Sequence, residues 1–100
     1  MITLENKPTS IEVKDETGKL VKTADYGYFI DMVCIAPPSN GFALTDIEHR
    51  LSIRKAVKKS DGTINLEDAD VKYLKGLVKT ARFPIAHEDI LGFVKYVESI

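Results

Sequence analysis

Cysteine is nearly missing from this chain: Cys34 is the single one in 100 residues. One thiol allows no internal disulfide and no multi-cysteine metal site, which suits a reducing cytoplasm. An excess of one charge sign is missing too. Fourteen Lys and Arg against fifteen Asp and Glu leave a net charge of −1, so no global field draws the chain to DNA or to an anionic membrane. No run approaches the roughly 18 apolar residues that a membrane-spanning helix needs. Residues 1–8 lack the apolar segment of a signal peptide. What is present is an ordinary globular composition, 44% hydrophobic, long enough for one small domain over residues 1–100. Such a domain has a stability on the order of 5–10 kcal/mol.

Residues 1–23 read as strands. Ile11 and Val13 alternate with Glu12 and Lys14, Asp15-Glu16-Thr17-Gly18 is turn chemistry, and Lys19-Leu20-Val21-Lys22 returns as the second arm of a hairpin. Ile2 and Leu4 alternate in a candidate third strand. Residues 24–100 read as four helices. Tyr26, Phe29, Ile30, Val33 and Cys34 share one face of the first, over about 24–35, with Thr23 or Asp25 as its cap. A capping box, Thr45-Asp46-Ile47-Glu48, opens the second, which runs to about Lys59. The third starts near Leu66-Glu67-Asp68, buries Val71, Leu74, Val78 and Ala81, and is ended by Phe83-Pro84. The fourth starts at Glu88-Asp89 and packs Ile90, Phe93, Val94, Val97 and Ile100. The expected fold is mainly α, four helices with an N-terminal β-hairpin.

Ser60 to Asp68 looks like a calcium loop and fails as one. An EF-hand loop places oxygen ligands at positions 1, 3, 5, 9 and 12 around a Gly at 6. With Gly62 at position 6, positions 1 and 3 become Val57 and Lys59. Valine offers no side-chain oxygen, and an ammonium repels the ion. The spacing therefore predicts a degenerate EF-hand-like helix–turn–helix pairing without metal or cofactor. Ile64 and Ile85, each just ahead of a helix, are expected to meet in a short β-bridge.

Two sets of residues are candidates for function. The apolar side chains of the second helix do not form one stripe: Ile47 and Leu51 project away from Ile53, Ala56 and Val57. Such a pattern predicts contact on two sides within the chain, or one side in a partner subunit. Phe42, beside the Ser39-Asn40-Gly41 turn, either joins that surface or fills the core beneath the loop. The second set is basic. Lys72, Lys75, Lys79 and Arg82 fall within about 80° of arc at 100° per residue, and Arg50, Arg54 and Lys58 lie on the second helix. They read either as a solvated face or as a track for a phosphate backbone. No aromatic residues interleave with them. Neither His49, His87 nor Cys34 has the neighbours that nucleophilic or metal chemistry needs, and no catalytic residue is assigned.

The layout of Val13 to Leu20, then Arg50-Leu51-Ser52-Ile53-Arg54-Lys55-Ala56, Thr63 to Asp70, Leu74-Lys75 and Ile90-Leu91-Gly92-Phe93-Val94 resembles a class of small proteins encoded in bacteriophage and prophage genomes. The resemblance covers most of the chain. It implies a host-cytoplasmic or virion-associated protein, in the particle, its assembly or a host-directed role. The expectation is a non-enzymatic phage interaction or assembly protein. It would act through helix faces, binding itself or other phage proteins at Ile47, Leu51 and Phe42. The alternative is a nucleic-acid-binding accessory protein using Arg50, Arg54, Lys58, Lys72, Lys75 and Lys79. No membrane partner is expected.

Overall fold

Asp25 is both the last residue of a strand and the cap of a helix, so the hairpin feeds directly into the helical layer. In the computed structural model, which describes residues 1–83 and 85–100, strand β1 (Ile2–Glu5) precedes the hairpin β2 (Pro8–Lys14) and β3 (Leu20–Asp25). Helix α1 (Tyr26–Ile35), α2 (Leu44–Lys58), strand β4 (Thr63–Leu66), α3 (Asp68–Thr80) and α4 (Glu88–Glu98) follow. The hairpin turn is organised by Asp15, whose Oδ1 accepts from the Thr17 amide and hydroxyl and from the Lys19 amide. Of the two candidate caps for α1, Asp25 is the one used: its Oδ1 accepts from the Tyr28 amide at 2.8 Å.

The fold class departs from the expectation. Among the described residues helices hold 49% and strands 21%, the strands in two antiparallel two-stranded sheets, so the architecture is α+β and not mainly α. The difference lies in β1 and β4. The Gly62 turn (φ 82°) does lead into an extended Ile64. Yet Ile64 pairs with Leu4, in a ladder running from Ile2↔Leu66 to Glu5↔Thr63. The bridge expected between Ile64 and Ile85 does not form; Ile85 is half-exposed in a bend. Leu4, Ile64 and Leu66 alternate inward and are fully buried, and that burial of period-two apolar residues drives the pairing. The EF-hand-like pairing is therefore replaced by a partner strand from the N-terminus. Strand β4 lies within residues 24–100, the stretch whose spacing reads as helical.

Smaller differences are local. Helix α2 starts two residues earlier than a cap at Thr45 would give. Ala43 occupies the cap, and Asp46 Oδ2 reaches back to the Ala43 amide at 3.0 Å, so the Thr45–Glu48 box is not formed. Helix α3 stops at Thr80, which leaves Ala81 and Arg82 beyond it; Pro84, expected to help end it, lies outside the described residues. The apolar faces of α1, α3 and α4 otherwise meet in one core, with Phe93 edge-on to Tyr26 and tilted against Phe29 at 5.3 Å each. His87 caps α4 by accepting from the Asp89 amide, and Asp89 accepts from the Ser10 amide and hydroxyl, fastening α4 to β2. Asn6 joins three elements: its amide donates to the Gly62 carbonyl, its Oδ1 accepts from the Gly27 amide, and its Nδ2 donates to Asp25. No helix among the described residues is long and apolar enough to cross a membrane.

Candidate interaction surface

Helix α2 has two unlike sides. Arg50, Ile53 and Val57 recur at i, i+3 and i+7 and face the core. Leu44, Ile47 and Leu51 repeat the same spacing on the opposite side and face solvent. Leu44 is 72% exposed, Leu51 50% and Ile47 40%. Ile35 (51%) from the end of α1 and Phe42 (40%) from the α1–α2 loop join them. Ile35, Phe42, Ile47 and Leu51 line one hollow of about 220 Å³, floored by Cys34 and edged by Arg50 and Arg54. On its other side Leu51 borders a wider groove of about 670 Å³ that runs past Ser52, Lys55 and Lys59 toward β4. Leu51 is thus a ridge between two depressions.

The apolar hollow is held in shape by a polar network underneath it. Arg50 is only 7% exposed. Its Nη1 donates to the carbonyls of Val33, Cys34 and Ala36 at 3.4, 3.1 and 2.8 Å. These are carbonyls that the end of α1 leaves without helical partners, and a cation there also opposes the negative end of the helix dipole. Arg50 Nε donates to Tyr73 Oη at 2.9 Å, and Tyr73 donates in turn to Asp46 Oδ1 at 2.8 Å. The guanidinium lies 4.8 Å from the centre of the Phe42 ring. A single buried side chain therefore fixes the α1 terminus, the α1–α2 loop and α3 against α2. Of the two readings of Phe42, the ring sits half-exposed over Arg50 and does not plug the core. Asp46 is held below the usual carboxylate range, first by the Tyr73 hydroxyl and then by the Ala43 amide. Burial raises the Tyr73 hydroxyl above its ordinary value.

A second buried charge, Asp70, ties α3 to the next turn of α2. It accepts from Ser52 Oγ at 2.7 Å and from His49 Nδ1 at 2.9 Å, while the His49 ring stacks on Tyr73 with centroids 4.7 Å apart. Because a carboxylate only accepts, His49 Nδ1 carries hydrogen. Serine, histidine and aspartate come together here without forming a nucleophilic relay. In a relay the hydroxyl donates to the imidazole; here hydroxyl and imidazole both bond the same carboxylate. Cys34, beneath the hollow, has its thiol pushed up to about 12 by burial.

The basic candidates are not brought together as one free set. Arg50 is spent on carbonyls, Arg54 is paired with Asp31 at 2.6 Å, and Lys75 donates to the Ile100 carbonyl. Lys58, Lys72 and Lys79 remain exposed. Sequence reasoning missed Arg50, Asp70 and Tyr73 as a structural network. A signal for Arg50 existed: it stands three residues before Ile53 and seven before Val57, on the core side of the helix.

No family model, curated protein or solved structure matches this chain at a significant level.

Proposed function

We propose that this protein is a binding module whose contact surface is the outer face of α2 with Ile35 and Phe42 beside it. The observation that carries this is the exposure of five large apolar side chains, Ile35, Phe42, Leu44, Ile47 and Leu51, four of them around one hollow. A chain of this size has other ways to fill its core, and contiguous exposed apolar side chains of this kind mark contact sites. The rigid Arg50 network supports the same reading, because it holds Phe42 and the α1 terminus in place before any partner arrives and so lowers the ordering cost of binding. Resemblance to small phage and prophage proteins supports a partner within a phage-encoded or host-directed assembly, in the host cytoplasm or in the particle. The module binds; no reaction is assigned to it.

A photoactivatable residue in place of Leu51 tests the surface in cells producing the chain. Cross-linking into one defined protein species, whether a second copy or another protein, is expected at position 51 and not at Leu91, an equally exposed position on α4. No product at 51, or the same products at both positions, overturns the proposal.

A further inference from the structure

The solvent face of α2 has a spacing that reads the same in both directions. Leu44, Ile47, Leu51, Lys55 and Lys58 lie at −7, −4, 0, +4 and +7 from Leu51, all on the outward side of the helix. The two halves differ in chemistry. The N-terminal half carries Leu44, Ile47 and the carboxylate Glu48; the C-terminal half carries Lys55 and Lys58. Among the described residues Glu48, Lys55 and Lys58 have no ion-pair partner. Arg54 is already neutralised by Asp31. The face is therefore apolar and acidic at one end and basic at the other, about a centre at Leu51.

The geometry points to a second copy of this chain as the occupant, packed through an antiparallel α2–α2 pair with its two-fold axis at Leu51. This rests on reading the α2 face as a contact surface. In that register Leu51 meets the partner's Leu51, and Ile47 and Leu44 meet the partner's Lys55 and Lys58. The aliphatic stems of lysine cover apolar surface while their ammonium groups stay wet. Glu48 then lies beside the partner's Lys55, and the two-fold repeats the pair. The opposing helix dipoles also run antiparallel. A parallel pair would set Lys55 against Lys55 and Lys58 against Lys58, so charge selects the antiparallel form. Leu51, as a ridge between two depressions, has a hollow on each side for the side chains of the other copy.

Sedimentation equilibrium of the purified chain, from micromolar to about 200 micromolar, tests this. A dimer is expected. Glu48→Lys and Lys55→Glu should each weaken it about tenfold or more, by placing like charges across the axis. The double variant Glu48→Lys/Lys55→Glu should return to within about threefold of the parent. These positions are exposed, so the variants fold, and far-UV circular dichroism checks this. A geometric arm is independent of charge. Leu51→Cys should form an intermolecular disulfide with diamide, because residue 51 meets its own copy. Leu44→Cys should not, since two residues 44 would lie about 21 Å apart at 1.5 Å per residue. A monomer throughout, no recovery in the double variant, or equal cross-linking at 44 and 51 overturns the inference. If cross-linking in cells still captures a different protein at position 51, the binding-module reading survives that failure; if it captures nothing, both fall.

Discussion

Arg50 Nη1 lies 2.8 Å from the carbonyl oxygen of Ala36, at the point where α1 ends and the loop to α2 begins. The bond joins a buried cation on one helix to the unsatisfied end of another, and the apolar hollow is built around it. Its neighbours Val33 and Cys34 offer two more carbonyls to the same nitrogen. A group in this position acts on stability and on the shape of the surface together.

Arg50→Ala should destabilise the fold by roughly 3 kcal/mol, because it strands buried carbonyls and the Tyr73 hydroxyl. Arg50→Lys should recover only part of this, since one ammonium cannot reach Tyr73 and the α1 carbonyls in the planar geometry of a guanidinium. Urea denaturation of the three proteins measures the difference; equal midpoints for parent and lysine variant would contradict the network.

Leu4→Ala should cost about 2–5 kcal/mol, as expected for a fully buried leucine. The value tests whether β1 belongs to the core. A loss within a few tenths of a kcal/mol would mean that the ladder with Ile64 contributes nothing.

Gly62 has φ 82°, and a Cβ built there meets nothing within 4 Å. Gly62→Ala should therefore lose about 1 kcal/mol or more through backbone strain alone. Thermal melting should show a drop of several degrees, with the far-UV spectrum unchanged.

Cys34 should resist alkylation by iodoacetamide in the native protein and react once the chain is unfolded by urea. Its thiol is raised to about 12 by burial, above the roughly 8.5 of a free cysteine. The unfolded chain loses this proton first as pH rises, so this residue's contribution to stability is complete below about pH 8.5 and declines toward pH 12. Cys34→Ala should flatten that part of the pH profile.

Asp46 titrates in the opposite sense. Its folded carboxylate is held low by the Tyr73 hydroxyl and the Ala43 amide. Its contribution is present above the ordinary aspartate value of about 3.9 and is lost as pH falls through the lower folded value. Asp46→Asn should make the acid limb of the stability profile shallower; an unchanged limb would show that the Tyr73 bond does not persist in solution.

Calcium-loop spacing illustrates how far local reading reaches. Gly62 and the extended Ile64 were legible, because a positive φ and an alternating apolar residue leave marks within a few positions. The same is true of the Asp25 cap, the buried faces of α1, α3 and α4, and the two-sided character of α2, which placed Ile47 and Leu51 outward. Each depends on side-chain spacing along one element. Which strand Ile64 would meet depended on something else. Leu4 and Ile85 both offer an apolar residue, and only the packed core decides that Leu4 is beside it. That choice alone turned a mainly helical expectation into an α+β fold. The fate of Arg50 was decided in the same way. A basic residue on a helix is a phosphate ligand, a solvated charge or a buried cap according to what lies within its reach. The carbonyls that claim it belong to another helix, some fifteen residues away. The alternation and period of this sequence determined its elements and their faces. The tertiary structure determined the partners, because pairing across the chain depends on which buried surfaces and unsatisfied polar groups come within a few ångströms once all elements pack.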